Sequence, residues 1–333
     1  MNRRRLWTLI VVVVVLALGA GLVVDGGDDT HGGGDQVGQP LLVGLTDALT
    51  DLSTIELRSR ADTVTLIRTG DEWLVAERGG YPVNFESLVG LLDTLSEATI
   101  VEKKTARSVY HARLGVADPV EEDSQAIVVS LSASDESSTW SLVVGESSTG
   151  GSGGSYVRME NDPQVWLASK SIQIDEDPTS WINTTITNVD SDDVIQVEIV
   201  RVDGESLIVR RDDGEENLVV DDVPDGRELR YATVANELAR SLTNIRMTDV
   251  RPVSGEPWTD ANQATYQLVD GTSVVVQARK EGEEHWLRLD RGETALASWE
   301  YKVTSYTYED FAKGIEDLLK PLPSEDNETE DAA

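Results

Sequence analysis

The sequence predicts an α+β fold: two related β-sheet-plus-helix lobes, an internal duplication, behind a single N-terminal transmembrane helix. Three observations point to it. An uncharged apolar run covers Leu6 to Val24. Short β-prone segments punctuated by Gly/Asp turns recur along the rest of the chain. Each half also carries one amphipathic helical segment at a matching place among those strands.

The run L-W-T-L-I-V-V-V-V-V-L-A-L-G-A-G-L-V-V is nineteen residues long, thirteen of them Leu, Ile or Val. At 1.5 Å per residue a helix of that length covers about 28 Å, close to the hydrocarbon thickness of a bilayer. Each aliphatic residue favours insertion by about 0.3–0.6 kcal/mol, several kcal/mol in sum. Arg3, Arg4 and Arg5 precede it, and Asp25, Asp28 and Asp29 follow. Basic flanks stay cytoplasmic, so residues 1–5 are expected inside, 6–24 across the bilayer and the rest outside. The competing reading is a cleaved signal peptide. Its apolar core is shorter, about 7–15 residues, and the best small-x-small site here, Ala17-x-Gly19, lies inside the run.

Residues 25–40 form a Gly/Asp spacer, hydrated and flexible, with His31 in it. The first lobe is expected over 41–189. Ile55–Arg58, Val64–Arg68 and Trp73–Ala76 read as strands, with a turn at Gly70-Asp71. Asn84 is placed to cap a helix bearing Phe85, Leu88, Leu92 and Leu95, widened by Leu91. Ile100-Val101, Ala126–Ser132, Trp140–Gly145, Tyr156–Met159 and Val165–Leu167 are further β segments. Gly145–Ser155 is a Gly/Ser loop between two of them.

The second lobe, 190–320, repeats the order. Val194–Val202, Ser206–Arg211 and Asn217–Val220 precede a helix expected over about 228–241 with Tyr231, Val234, Leu238 and Leu242. Thr265–Leu268, Ser273–Ala278 and His285–Leu289 follow. Setting Leu95–Ile100 beside Leu242–Met247 aligns the halves, with Asn217-Leu218 where a copy of Trp73-Leu74 is expected. A last helix from Thr307 carries Tyr308, Phe311, Ile315, Leu318 and Leu319 and stops at Pro321. An acidic disordered tail closes the chain over 321–333.

The formal charge of -33 and pI near 4.3 give a surface that repels phosphate backbones and anionic lipid headgroups, which argues against binding nucleic acid. Zero cysteines exclude disulfides and thiol chemistry. Asp212-Asp213-Gly214-Glu215-Glu216 lacks the alternating oxygens and distal Glu of a calcium loop and reads as a charged hairpin tip. Gly150-Gly151-Ser152-Gly153-Gly154 matches the G-x-S-x-G nucleophile elbow in letters, yet lacks the strand before and helix after that would force the strained turn. Glu283-Glu284-His285 reads as a solvated hairpin, and the three histidines have no metal spacing. An acidic pair for glycoside hydrolysis is not favoured by any spacing. Hence no catalytic, cofactor-binding or metal-ligating residue is assigned, and no cofactor is expected. Eight Trp against two Phe fit core and sheet-edge packing, or alternatively an exposed aromatic platform.

Asp71-Glu72-Trp73-Leu74 before a helix, Tyr110, Leu114-Gly115 to Pro119, Val143-Val144-Gly145, Tyr156-Val157-Arg158 and Trp299-Glu300-Tyr301-Lys302-Val303 occur in an order that resembles the bacterial domain-of-unknown-function 4340 proteins. The resemblance implies membrane-anchored proteins without assigned catalytic residues. They are often encoded beside ABC-transporter components of the gliding-motility auxiliary type. The expected function is therefore a non-enzymatic, single-pass periplasmic accessory protein, tethered to lipid by its helix and partnering an ABC-type transport complex. The alternatives are a polysaccharide- or peptidoglycan-binding module and an envelope hydrolase using a carboxylate pair.

Overall fold

The computed structural model describes residues 36–134, 138–150, 153–212, 215, 217–255, 257–292 and 294–322. The expected anchor (6–24), residues 25–35 of the spacer, Ser152 and the tail from 323 lie outside these residues. Among the described residues no helix is long and apolar enough to cross a membrane. The body from Val37 onward is one compact unit, rich in sheet with few helices.

A short helix α1 (Leu45–Ala48) leads into β1 (Leu52–Arg58), β2 (Thr63–Thr69), β3 (Glu72–Val75) and β4 (Tyr81–Pro82). Helix α2 (Phe85–Glu97) follows, then β5 (Ile100–Lys103), β6 (Ile127–Ala133), β7 (Thr139–Ser147), β8 (Ser155–Met159) and β9 (Trp166–Ala168). These strands form one nine-stranded sheet in the order β4-β3-β2-β1-β6-β7-β8-β9-β5. After β10 (Thr185–Thr187) come β11 (Val194–Val200), β12 (Ser206–Arg211), β13 (Leu218–Val220), α3 (Asn236–Arg240) and β14 (Ile245–Arg246). The chain then runs through β15 (Asp249–Pro252), β16 (Asn262–Leu268), β17 (Ser273–Glu281), β18 (Glu284–Asp290), α4 (Thr294–Ala297), β19 (Trp299–Val303) and α5 (Ser305–Glu309). The second sheet has eight strands, β13-β12-β11-β16-β17-β18-β19-β15, while β10 pairs only with β14.

The two orders correspond strand for strand, apart from β4. In both, a hairpin pair flanks a four-strand meander, and a strand from beyond the helix closes the far edge, β5 directly after α2 and β15 after the intervening β14. A local irregularity also recurs. Leu52 and Ile55 are both buried on β1 although three apart, a spacing that regular pleating would send to opposite faces. A register shift between Leu52 and Thr54 against β6 resolves the parity. Val194 and Val197 on β11 are buried in the same way, with the shift between Val194 and Gln196 against β16.

Helix α2 begins where expected: the Asn84 side chain accepts a hydrogen bond from Glu86 N at 3.0 Å. Its buried stripe is Leu88, Leu91 and Leu95, so Leu91 is central, whereas Phe85 is 38% exposed and Leu92 half-buried. Continued through Ala98 and Ile100, the stripe has a counterpart at identical spacing in Ala235, Leu238, Leu242, Ile245 and Met247. All ten residues are buried. The register of β12 with β13 sets Leu218 opposite Arg211, as Trp73 stands opposite Arg68.

Two helices differ from expectation. The segment expected as a helix over 228–241 is helical only at Asn236–Arg240. Its start is held extended, because Leu229 bridges Leu319, Arg230 N donates to Leu318 O and Lys320 N donates to Glu228 O. From Tyr231 the chain winds through i-to-i−3 bonds, Val234 N to Tyr231 O among them, and Tyr231 stays exposed. The final helix is likewise broken, into α5 and a 3-10 turn at Ile315–Leu318. Between them Gly314 is extended against Arg201 and Glu205; a Cβ there would lie 2.7 Å from Arg201 Nη1. Phe311, Leu318 and Leu319 are buried as the pattern required.

Inner-face residues of both sheets, the α2 and α3 stripes, Phe311 and Leu318 join in one continuous core. The sheets also touch along edges: Arg78 Nε lies 2.6 Å from Asp249 Oδ1, and the Tyr81 ring meets Trp299 edge-on at 4.9 Å. A second, small cluster of Val116, Ala126, Val128, Val143 and Val165 lies on the opposite face of the first sheet, under the connection from β5 to β6.

Candidate functional site

The reactive-looking motifs resolve into structure. Ser152 lies outside the described residues, and Gly154 beside it is pressed so close to Ala168 O that a Cβ would stand 1.7 Å away. The neighbouring Ser155 is buried, with its hydroxyl accepting from Ile172 N at 3.0 Å. His111 is buried and donates from Nε2 to the Pro163 carbonyl at 2.9 Å, while His285 packs on the Tyr308 ring at 4.8 Å. Glu284 opens β18 next to the turn at Gly282 and bonds Lys302, which holds its carboxyl below the usual range. Among the described residues no three His, Cys, Asp or Glu side chains could share a metal ion. None of the seven described tryptophans is exposed, and Trp181, Trp258 and Trp286 are buried.

The densest polar chemistry lies on the outer face of the second sheet, away from the core. Strand alternation sends Leu287 and Leu289 inward, so Trp286 and Arg288 face out beside Glu300 of β19 and Arg251 of β15. Glu300 is 1% exposed. It accepts from Arg251 Nε at 2.6 Å and from Arg288 Nε at 3.0 Å, with Arg288 Nη2 also bonded to it. The two guanidinium groups stack on indoles, Arg251 over Trp286 at 3.8 Å and Arg288 over Trp258 at 4.2 Å. Arg251 also donates to Glu281 at 2.7 Å, and Arg279 faces Asp260 at 3.2 Å. Burial opposes the Arg251 charge, but its bonds to Glu281 and Glu300 outweigh this and hold its pKa above the ordinary value.

In charge the cluster is balanced, although Arg279 Nε is buried without a hydrogen-bond partner among the described residues. Three arginines face three carboxylates, and no nucleophile or proton-transfer pair stands among them. It clasps the loop carrying Trp258 onto the sheet. The alternation Trp299-Glu300-Tyr301-Lys302 reads as core–solvent–core–solvent, so nothing in the sequence separates Glu300 from an ordinary exposed acid. The difference comes from the two guanidinium groups on its carboxylate and from Trp286 and Trp258 stacked on them. On the first sheet the corresponding strand β8 carries Tyr156-Val157-Arg158, with Val157 inward and Arg158 again outward and buried. There Arg158 binds main-chain oxygens, Val116 O at 2.8 Å and Glu160 O at 2.7 Å, beside the apolar outer cluster.

One open hollow of about 570 Å3 is lined by Asn188, Asp190, Ser191, Asp193, Arg240 and Thr243. Its polar atoms mostly serve the local loops: Asn188 Oδ1 accepts from Asn244 N, Asp190 Oδ1 from Asp192 N, and Thr243 Oγ1 donates to Val189 O.

No curated protein and no solved structure matches the chain. The family described as Domain of unknown function (DUF4340) matches residues 73–270. That span opens on Trp73, takes in the Tyr110, Leu114–Pro119, Val143–Gly145 and Tyr156–Arg158 motifs, and ends before Trp299. With more than half of its length matched, and with those motifs placed on β3, β7, β8 and the connection between β5 and β6, the chain belongs to the DUF4340 family.

Proposed function

We propose that this protein is a non-enzymatic, single-pass accessory protein of a bacterial inner membrane, whose periplasmic body is an extracytoplasmic partner of an ABC-type transport complex of the gliding-motility auxiliary kind. The observation that carries the reading is the nineteen-residue uncharged run Leu6–Val24 behind Arg3-Arg4-Arg5. It is long enough to span a bilayer, and its basic flank sets the body outside. Two broad sheets around one core, with a polar face that is self-neutralised, suit a scaffold for protein contacts better than a reaction centre.

The body is a duplicated unit in this reading. Support comes from the matching strand orders, the register shift recurring on β1 and β11, and the five buried positions of the α2 stripe with their counterparts around α3. Affinity purification of the full-length chain from native membranes tests the partnership. Transporter subunits are expected among the co-purifying proteins, and repeated recovery without any would overturn it.

A further inference from the structure

We infer that the segment Lys103–Arg113 is a docking surface for anionic phospholipid headgroups, which lays the body against the membrane that holds its anchor. The inference rests on the anchor reading above and adds a second, reversible contact to it. In a chain of net charge -33, residues 103–117 carry Lys103, Lys104, Arg107 and Arg113 and no Asp or Glu, the longest acid-free stretch after the N-terminal run. Lys104 pairs with Glu102 at 2.7 Å, and Lys103 lies 5.8 Å from the Trp166 ring. Arg107 and Arg113 are exposed and meet no carboxylate among the described residues. Exposed cations without an ion pair occur elsewhere, Arg246 and Lys280 among them; what sets this segment apart is four basic residues in fifteen with no acid, a local positive charge that an anionic surface complements. The acids that follow point elsewhere: Asp118 and Glu121 bond the main-chain N–H groups of their own turn.

Between the two arginines the chain makes consecutive 3-10 turns, Ser108–Tyr110 and Ala112–Leu114. His111, held to Pro163 O, fixes them from beneath. Val109 is left 79% exposed and Tyr110 45% exposed at the tip. An aliphatic and a tyrosine flanked by arginines match the chemistry of the headgroup boundary, where amphipathic rings and basic side chains gather. Connectivity places the tip suitably. The spacer enters the body along β5: Gly38 N donates to Ile100 O, Ile100 N to Gln39 O, and Pro40 bridges Thr99 in antiparallel sense. Traced back from Pro40 to Gly38, the chain therefore runs along β5 in the direction of Lys103. The net acidity does not oppose this at range, since charges beyond about 8 Å are screened at physiological salt, while each basic residue near an anionic surface gains about 1 kcal/mol.

The chain has no cysteine, so Val109→Cys provides a unique site for an environment-sensitive fluorophore, and Val269→Cys, 60% exposed at the native residue, a control. The full-length variants are reconstituted into nanodiscs of phosphatidylglycerol with phosphatidylcholine, or of phosphatidylcholine alone. With the anionic lipid, emission from position 109 is expected to shift to the blue and to be quenched by spin-labelled lipid, with reversal in high salt and no change at 269. The ratio of docked to undocked body should fall about fivefold for each cation lost in Arg107→Gln and Arg113→Gln. Water-like emission from 109 in both lipids, or equal shielding in both, would overturn the inference, as would shielding that needs an added membrane protein. A chain that fails to remain with the discs at all would instead overturn the anchor.

Discussion

Glu300 is the residue whose environment departs furthest from what its type suggests. A buried carboxylate flanked by two guanidinium groups is costly to break from either side, because the surviving charges stay desolvated. Glu300→Ala is expected to destabilise the body by about 3 kcal/mol, read from urea midpoints, whereas Glu281→Ala, at the exposed end of the same network, should cost under about 1 kcal/mol. Equal small effects at both positions would contradict the clasp. Burial acts on tyrosines in the opposite sense. Desolvation raises the pKa of Tyr81, Tyr266 and Tyr301 above that of a free phenol. In the unfolded chain they would ionise near the ordinary value of about 10. Their contribution is thus fully present below that pH and is lost as pH rises through the folded values, so stability should decline with alkali. Phenolate absorbance followed together with unfolding should show two of the eight tyrosines, Tyr266 and Tyr301, ionising only as the fold opens.

Elements were legible in the sequence to the extent that local chemistry decides them. The turn at Gly70-Asp71, the Asn84 cap and the alternating strands were readable because propensity and neighbours agree there. The helix expected from Glu228 was not, since its first residues pair with Leu318–Lys320, some ninety positions away. No local pattern reports such a partner. Gly314 broke the last helix for a similar reason, the proximity of Arg201 and Glu205. Helix faces offer the corresponding test. Leu91→Ala and Leu238→Ala should each cost about 2–5 kcal/mol, while Phe85→Ala and Tyr231→Ala, on exposed positions, should each cost under about 1 kcal/mol. Thermal and urea unfolding of the four variants checks the order. A Phe85 effect as large as that of Leu91 would show the stripe to be misplaced.

At the scale of the molecule, family membership and a sheet-rich α+β body stand on the matched residues and the strand order. The outer-face clasp escaped the sequence because it needs four strands and a loop to converge, and its acids and arginines look like any others in a chain with 61 acidic residues. The proposed address comes from a different physical source, the free energy of moving thirteen aliphatic side chains out of water. Alkaline carbonate extraction of cells producing the full-length chain, combined with external protease on spheroplasts, tests that claim most directly. The account predicts recovery in the carbonate-resistant membrane fraction, with the body from Leu41 to Leu319 cleaved from outside. Recovery as a soluble, protease-protected cytosolic protein would contradict it.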